Sequence, residues 1–384
     1  MVKQILILGA GFGGLEAATS LREKLDNSVK ITLIDKNNFF MIGFTKFDVM
    51  FGRRSVEEIK SYYKNIAMDG IKFVRDTIEV IDPLNKIIKT STSDFTYDFL
   101  IVTLGADLAP EATPGFIEDG YEFYSLPGAQ RLFSVIDDFR SGTILVSIFS
   151  KPYKCPPAPY EAAFLLHDFF TNKGIRNRID IKMLIPAPTP LPIAREVSAE
   201  IEKLLEAKNI GLYRQHKVVE LNPQRKIAVI ENRDPIGYDL FLGVPIHVPP
   251  KVVRESPLGE NGWIKVNKKN LQTSFENVYA VGDVVNIPVG EFAVPKAGAF
   301  AEAAAKVVVE EILNKLKNEN NVVKFDGAGT CYMETGSGNI AELDANFFGE
   351  PEPRVNLNGP SLEFRENKER FEKDRISKWF KKVD

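Results

Sequence analysis

Short apolar runs alternate with an amphipathic segment over the first 35 residues of the chain. Residues 4–8 are apolar and lead into a glycine-rich turn, residues 14–25 carry apolar positions at helical spacing, and residues 30–34 form a second apolar run. This order predicts a strand, a tight turn, a helix and a parallel strand, which together make a βαβ unit. Three β-rich stretches follow, at residues 72–82, 86–92 and 97–103.

The same order of patterns returns in the middle of the chain. Apolar runs at 143–149 and 180–185 predict strands, and helical spacing at 159–171 and 195–208 predicts the helices between and after them. Residues 238–244 also repeat the Tyr-Asp start and apolar run of the stretch that ends at residue 103. The predicted fold class is therefore α/β, with two tandem Rossmann-like domains.

The remaining elements divide the chain into three regions. Residues 262–266 and 277–283 predict strands, and an alanine-rich helix is expected from about 297 to 316. Glycine and proline interrupt residues 321–355, and a charged helix is expected from about 361 to 382. The predicted regions are a first domain made of residues 1–105 and 263–320, a second domain at 106–262, and a C-terminal region at 321–384.

Composition and charge exclude several classes of protein. The formal net charge is −3, and no basic block occurs outside the C-terminal tail, so nucleic acid is not an expected partner. The first strand begins almost at Met1, which leaves no room for a signal peptide and predicts a cytoplasmic protein. No apolar run approaches the roughly 20 residues that span a bilayer, although peripheral contact with the cytoplasmic face stays open. Two cysteines and three scattered histidines give no metal-site spacing.

The first glycine turn has the spacing of a dinucleotide site. In Gly9-x-Gly11-x-x-Gly14 the first glycine makes the turn, the second lets the backbone approach a pyrophosphate, and the third lets the helix pack on the strand. Asp35 at the end of the second strand is placed to bind an adenosine ribose. The alternative is a tight βα turn without a ligand. The residues predicted to bind the cofactor here are Gly9, Gly11, Phe12, Gly13, Gly14, Asp35 and Lys36.

A second motif indicates which dinucleotide binds. Residues 277–283 form an apolar strand that ends in Gly282-Asp283 and resembles the second FAD motif of flavoproteins with two dinucleotide-binding domains. With Thr103, Leu104 and Gly105, this resemblance implies FAD rather than NAD in the first domain. A helix cap is the alternative role for Asp283. Lys296, at the start of a predicted helix, is a candidate cation beside a reduced flavin ring.

The corresponding turn of the second domain contains a cysteine in place of glycines. No glycine occurs between Gly142 and Gly174, and consecutive prolines remove amide donors, so a second phosphate loop is not expected. Cys155 precedes a predicted helix, and Lys151 is one of two nearby lysines expected to lower its pKa. Cys331 lies in a stretch flanked by glycines. From their number alone, two inert core cysteines are the alternative.

These cysteine motifs resemble those of a known family. The segment 153–161, the Pro295-Lys296 step and the Thr330-Cys331-Tyr332 step resemble the flavoprotein subunit of flavocytochrome c sulfide dehydrogenase and the sulfide:quinone oxidoreductases. The resemblance implies a glutathione-reductase-like arrangement and a C-terminal region that covers the flavin and lines the acceptor site.

The resemblance also implies a chemistry for the two cysteines. They would form a redox-active disulfide, the donor would be sulfide or a small thiol, and a quinone or a cytochrome would accept the electrons. The implied catalytic residues are Cys155, Cys331, Glu161 and Lys296. Glu161 is the candidate proton acceptor, with a helix-capping role as its alternative.

Two departures from that family change the expectation. Residues 37–45 hold no cysteine that could tether the flavin, which predicts non-covalent FAD. Residues 105–154 lack the third cysteine that many sulfide:quinone oxidoreductases have, so chemistry that depends on it is not expected.

Other interpretations remain open at the level of sequence. A type II NADH dehydrogenase or disulfide reductase would need a glycine-rich second turn or a close cysteine pair, whereas a flavin redox sensor would need neither. The C-terminal helix could serve as a quinone-site lid, a membrane anchor, a docked helix or a homodimer contact. Its expected apolar face consists of Phe364, Phe371, Ile376, Trp379, Phe380 and Val383.

Overall fold

The computed structural model describes residues 2–259 and 262–381. Its N-terminal part contains β1 (Lys3–Leu8), α1 (Phe12–Lys24), β2 (Val29–Asp35), β3 (Phe39–Phe40), α2 (Thr45–Met50), β4 (Ser61–Tyr62), β5 (Ile71–Arg75), β6 (Ile78–Asp82), β7 (Ile87–Thr90), β8 (Asp94–Thr96) and β9 (Phe99–Val102). Strands β9, β1, β2 and β5 lie parallel in one sheet. Strand β1 is buried from Ile5 to Leu8, which explains why its sequence is continuously apolar rather than alternating.

The middle of the chain builds a second parallel sheet. Its elements are β10 (Asp107–Ala109), α3 (Phe116–Asp119), β11 (Gly120–Tyr121), α4 (Leu126–Asp138), β12 (Gly142–Ile148), α5 (Ala158–Asn172), β13 (Ile179–Ile185), α6 (Arg195–Ala207), β14 (Ile210–Arg214), β15 (Val218–Asn222), β16 (Ile227–Ile230), β17 (Ile236–Gly237), β18 (Leu240–Val244), β19 (Ile246–Val248) and α7 (Lys251–Arg254). The sheet has the order β11-β18-β12-β13-β14, and its paired strands are parallel. The predicted α/β class with two Rossmann-like sheets is confirmed.

The last part of the chain returns to the first sheet before it forms a new one. Its elements are β20 (Val278–Ala280), β21 (Pro288–Val289), β22 (Phe292–Ala293), α8 (Gly298–Lys317), β23 (Ala328–Gly336), β24 (Asn339–Asn346), β25 (Arg354–Ser361) and α9 (Glu363–Trp379). Strand β20 pairs with β9 and completes a five-stranded parallel sheet, and α8 packs against α1.

The prediction of a strand at residues 262–266 is wrong. Ile264 forms a single bridge with Val285. The chain then leaves this neighbour, because the amide of Asn267 donates to the carbonyl of Gln272 at 2.8 Å and closes a turn.

The C-terminal region contains an antiparallel sheet that its glycine and proline pattern did not indicate. Strands β23, β24 and β25 pair in that order. Ser337 and Gly338, with φ values of 53° and 75°, form the two-residue turn between β23 and β24. A Cβ on Gly329 would lie 2.7 Å from the Phe300 ring, so this glycine permits a close approach of β23 to α8. These glycines therefore shape a sheet rather than interrupt it.

Helix α9 docks on the first domain through a buried aromatic end. Trp379 is fully buried, and its indole nitrogen donates to Glu16 Oε2 at 3.1 Å. Arg375 Nε donates to Glu302 Oε2 at 2.6 Å, which ties the middle of α9 to α8. The helix ends about three residues earlier than predicted, and Val383 lies outside the described residues. Across residues 2–259 and 262–381, no helix combines the length and apolar character needed to cross a bilayer.

Candidate active site

A glycine turn connects β1 to α1 and leaves open space beside the helix N-terminus. Gly9 has φ +96°, and a Cβ there would lie 2.5 Å from the carbonyl oxygen of Thr103. A Cβ on Gly14 would lie 2.0 Å from the carbonyl oxygen of Gly9, so α1 packs closely only because side chains are missing. Gly11 differs, because a Cβ there would meet no atom within 4 Å. Helix α1 begins at Phe12, and the unpaired amides of its first turn suit a pyrophosphate.

Asp35 ends β2 and braces the glycine turn. Its Oδ2 accepts a hydrogen bond from the amide of Ala10 at 2.8 Å, and its Oδ1 accepts one from the amide of Asn37 at 2.8 Å. A carboxylate has about four lone-pair positions, so both oxygens can still accept a further donor. Binding of a ribose hydroxyl by Asp35 stays a prediction.

A cavity of about 960 Å³ adjoins this turn. Ligand sites commonly measure about 300–1,000 Å³, so the cavity can hold a large cofactor. An open backbone cradle at Gly11 together with this volume fits FAD. Of the residues predicted to bind cofactor or to act in catalysis, Gly14 packs behind the turn, and the following line the cavity: Gly9, Gly11, Phe12, Gly13, Asp35, Lys36, Thr103, Leu104, Gly105, Cys155, Glu161, Gly282, Asp283, Lys296 and Cys331.

Asp283 and Lys296 face each other across the carboxyl end of β20. Burial raises the pKa of Asp283, with the nearby lysines opposing this effect. Helix α8 is preceded by Ala297 and has no side-chain cap, so Asp283 does not cap it. The Lys296 ammonium donates to the backbone carbonyls of Asp283 at 2.6 Å and Val285 at 3.0 Å, and it lies 3.5 Å from the ring centroid of Trp263. Burial lowers the pKa of Lys296 to about 8. Lys296 is thus held by backbone at the cavity wall.

The turn that carries Cys155 is joined to the Lys296 segment. The amide of Cys155 donates to the carbonyl of Lys296 at 2.7 Å, and the amide of Ala158 donates to the carbonyl of Cys155 at 2.9 Å. Cys155 has φ +49°, a left-handed backbone conformation that residues other than glycine rarely adopt. The Lys154 ammonium donates to the carbonyl of Ala106 at 3.1 Å. The Cys155 amide, which a phosphate loop would use to bind its ligand, is therefore already bonded to a neighbouring backbone carbonyl.

Cys331 reaches the same cavity from the C-terminal sheet. It lies within β23, where it pairs with Leu343 of β24, and β23 packs against α5 and α8. Cys155 and Cys331 are 176 positions apart in the sequence, yet both line the cavity as free, partly buried thiols. The fold therefore brings both cysteines to the wall of one cavity, which the sequence spacing alone does not reveal.

The pKa of Cys155 is shifted opposite to the predicted direction, and the pKa of Cys331 is raised as well. Burial raises the pKa of Cys155 well above its usual range and that of Cys331 to about 12, and the charge of Glu161 adds to both effects. Lys151, which was expected to favour a thiolate, is itself partly desolvated, and its own pKa is lowered. Desolvation therefore outweighs the helix N-terminus and the flanking lysines. Lys46, from α2, is the lysine whose charge lowers the pKa of Cys155.

Glu161 belongs to a buried network of charges. Its Oε1 accepts a hydrogen bond from the amide of Glu334 at 3.1 Å and lies 3.7 Å from the Lys368 ammonium. Glu334 in turn binds Arg53 through both oxygens, at 2.6 and 3.0 Å, and contacts Lys368. Burial raises the pKa of Glu161 to about 7, whereas Lys368 and Arg53 hold the pKa of Glu334 low. Helix α5 follows Pro157 without a side-chain cap, so Glu161 does not serve as one.

Five polar residues around the thiols were not found from the sequence. They come from separate segments, and no motif assigned a site role to any of them. Lys46 alone had a local signal, because it is the single charge in the apolar and aromatic stretch 39–47. The five residues are Lys46, Arg53, Tyr124, Glu334 and Lys368.

Comparison with protein families gives one broad match. The chain matches the family described as pyridine nucleotide-disulphide oxidoreductase over residues 3–141 and 161–306, which is well over half of its length.

Individual relatives are similar at low identity. Mouse mitochondrial sulfide:quinone oxidoreductase is 23% identical over 364 residues, which cover 91% of this chain and 79% of the mouse protein. The type II NADH:quinone oxidoreductase of Staphylococcus haemolyticus is 27% identical over 365 residues, which cover 90% and 88%. The X-ray structure of sulfide:quinone oxidoreductase from Aquifex aeolicus superposes with a TM-score of 0.87 at 20% identity and covers 96% of this chain and 90% of that chain. At this identity, the superposition shows the fold alone.

Proposed function

The chain belongs to the pyridine nucleotide-disulphide oxidoreductase family and is a FAD-dependent oxidoreductase, and we propose that it oxidises sulfide through a cysteine pair with a quinone as acceptor. The resemblance to sulfide:quinone oxidoreductases is confirmed by relatives from mouse and Aquifex aeolicus that match the chain in sequence. Their names support sulfide as the donor and quinone as the acceptor. Non-covalent binding of FAD is part of the proposal, because the cavity segment 37–45 contains no cysteine.

The observation that carries the proposal is the meeting of two distant cysteines beside the glycine cradle. Cys155 comes from the turn before α5 and Cys331 from β23, and both line the cavity that Gly11 opens into. Glu161, the third predicted participant, lies in the same wall.

The sulfur step proposed for the oxidised pair is a thiol–disulfide exchange. Hydrosulfide attacks the Cys155 sulfur of a Cys155–Cys331 disulfide, so that the bond between the cysteines breaks and a persulfide forms on Cys155. The electron pair of the broken bond stays on Cys331 as a thiolate, and the single negative charge of hydrosulfide is conserved. Glu161, with its pKa raised to about 7, is partly ionised at neutral pH and accepts the proton of the persulfide's terminal sulfur, which leaves that sulfur as an anion. FAD, when bound, supplies two-electron chemistry between donor and acceptor.

Aromatic side chains of the C-terminal region are the proposed acceptor site. The rings of Tyr332 and Phe371 line the cavity with centroids 5.7 Å apart, and Phe371 also lies 6.1 Å from Phe44 and 6.2 Å from Phe12. Flat apolar rings suit a quinone better than the polar surface of a cytochrome. Cytoplasmic location, membrane contact through α9 and a homodimer stay predictions of the sequence.

The second domain favours sulfide over NADH as donor. Relatives of both kinds match the chain, so the distinction depends on the site. The turn at Cys155 has no glycine between Gly142 and Gly174, and its Cys155 amide donates to the Lys296 carbonyl at 2.7 Å. A pyrophosphate there would lack both the close backbone approach and that amide.

Anaerobic reduction of the FAD-loaded protein tests the proposal. We expect the absorbance of oxidised flavin to disappear soon after hydrosulfide is mixed with the protein. A soluble quinone should restore this absorbance and allow repeated turnover. NADH at the same concentration should reduce the protein much more slowly. Fast reduction by NADH together with unchanged absorbance in hydrosulfide would exclude the proposed function. Reduction by hydrosulfide without turnover on quinone would favour the redox-sensor interpretation.

A further inference from the structure

Lys46 is a partly buried cation in the cavity wall that has no role in the function proposed so far. It lies on α2 and lines the cavity together with Cys155. Within residues 2–259 and 262–381, its ammonium group makes no hydrogen bond or ion pair. Burial is the main cause that lowers its pKa, to about 8, as expected for a cation that has lost water without gaining a partner.

Tyr124 adds an unpaired hydroxyl to the same wall. The hydroxyl oxygen is buried and has no hydrogen-bond partner among the residues that the structure describes. Two other buried tyrosines near Cys155 differ, because the hydroxyls of Tyr153 and Tyr160 donate to backbone carbonyls at 3.3 and 2.9 Å. Leaving a buried hydroxyl unpaired is unfavourable, so Tyr124 indicates a ligand that accepts a hydrogen bond.

The packing of α2 against α4 holds these two groups in one wall. Phe47 follows Lys46 and Phe123 precedes Tyr124, and the ring centroids of the two phenylalanines lie 5.7 Å apart. Glu122 is the carboxylate of this segment that could pair with Lys46. It is engaged elsewhere, because it accepts hydrogen bonds from two amides at 2.6 and 2.8 Å and from a serine hydroxyl at the start of α4.

The charges around Cys155 leave Lys46 as the group that favours an anion there. Cys331 and Glu161 raise the pKa of Cys155, and Lys46 lowers it. Burial pushes the carboxyls of Glu161 and Asp283 toward their neutral forms, which weakens their competition for Lys46. The titratable and charged groups that act on Cys155, Lys46 or Tyr124 are Cys331, Glu161, Lys154, Glu122, Asp283, Tyr153 and Tyr160, and the His247 ring packs against Tyr124 with centroids 5.0 Å apart.

We propose that Lys46 and Tyr124 form an anion subsite that holds hydrosulfide against Cys155 and afterwards holds the terminal sulfur of the persulfide. This inference rests on the proposed function, since it names the groups that bind its substrate. Lys46 supplies the charge and Tyr124 supplies the hydrogen bond, and no proton or electron leaves either residue. Hydrosulfide carries one negative charge beside Lys46 before the exchange, and the terminal sulfur of the persulfide carries one there after Glu161 has accepted its proton.

The first test measures the concentration of hydrosulfide needed for half-maximal reduction rate. We expect Lys46→Met and Tyr124→Phe each to raise this concentration about tenfold or more, the loss typical of a hydrogen bond or charge contact to an ion. Lys46→Arg should recover most of the loss. Lys64→Met, on the exposed surface, is the matched control and should behave as the unmodified protein. Unchanged hydrosulfide dependence in both Lys46→Met and Tyr124→Phe overturns the inference.

The second test measures the reactivity of the Cys155 thiol in the absence of turnover. In a Cys331→Ser protein, the rate of Cys155 alkylation by iodoacetamide is measured against pH. Adding Lys46→Met should slow alkylation about tenfold at a fixed pH, which corresponds to a rise of about one in the pKa of Cys155. Loss of FAD absorbance with an unchanged alkylation profile would assign Lys46 to the cofactor and overturn the inference. If hydrosulfide fails to reduce even the unmodified protein, the proposed function fails, whereas the alkylation profile still reports on Lys46.

Discussion

Glu161→Gln should remove a pH dependence that the buried glutamate confers on sulfide oxidation. The substitution eliminates the proposed proton acceptor but keeps a side-chain oxygen for the Glu334 amide, which lies 3.1 Å from Glu161 Oε1. Burial raises the pKa of Glu161 to about 7, so about one tenth of it is ionised at pH 6 and about nine tenths at pH 8. A base acts only in its ionised form. The contribution of Glu161 to the rate should therefore rise about tenfold over this range.

The assay compares the two proteins at each pH. Anaerobic stopped-flow reduction by hydrosulfide is recorded from pH 6 to pH 8, and the rate of the unmodified protein is divided by that of Glu161→Gln. Because sulfide ionises to the same extent in both experiments, this ratio removes the effect of sulfide ionisation on the rate. Glu118→Gln, on the exposed face of α3, is the control and should leave a ratio near one. A flat ratio for Glu161→Gln across this range would refute the role of Glu161 as proton acceptor.

Three further substitutions test the cofactor cradle and the docking of α9. Gly11→Val should abolish FAD binding while the far-ultraviolet circular dichroism stays unchanged, because its side chain enters the open space proposed for the pyrophosphate of FAD. Retained flavin absorbance would contradict this. Gly14→Ala should destabilise the fold by at least about 1–3 kcal/mol in urea denaturation, since its Cβ would lie 2.0 Å from a backbone oxygen, and an unchanged midpoint would exclude that clash. Trp379→Ala should cost about 3–5 kcal/mol in the same assay, whereas a cost below about 1 kcal/mol would show that α9 is not firmly docked.

Local sequence patterns predicted the parts of the fold that are determined by residues close together in the sequence. The βαβ start, the second strand–helix–strand unit and helix α8 follow from apolar periodicity and glycine turns. Strand β20 was predicted near its observed position at Val278–Ala280, because an apolar run ends there in Gly282-Asp283. The parallel sheets are buried on both faces, which makes such runs easy to recognise.

The C-terminal sheet was missed for a physical reason. Gly329 is required by the approach of the Phe300 ring, and Gly338 is required by a left-handed turn. Both glycines read as interruptions in a sequence, because the contact or turn that needs them appears only after folding. The same reason explains why Lys46 and Tyr124 were missed, since their unpaired state is a property of the packed cavity.

The pKa of Cys155 shows a second limit of sequence reasoning. A helix N-terminus and two lysines predicted a lowered value, because each is visible as a local pattern. Desolvation depends on the whole surrounding structure, and it raises the pKa instead. The position of the thiol could be predicted from its motif, whereas its electrostatic environment could not.

The most direct test of the cysteine pair is an anaerobic hydrosulfide titration of Cys155→Ser and Cys331→Ser beside the unmodified protein. Both variants should keep bound FAD, because the glycine cradle is unchanged, and both should lose reduction by hydrosulfide. The unmodified protein should be reduced fully. Reduction of either variant at the original rate would contradict the claim that sulfur chemistry requires both Cys155 and Cys331.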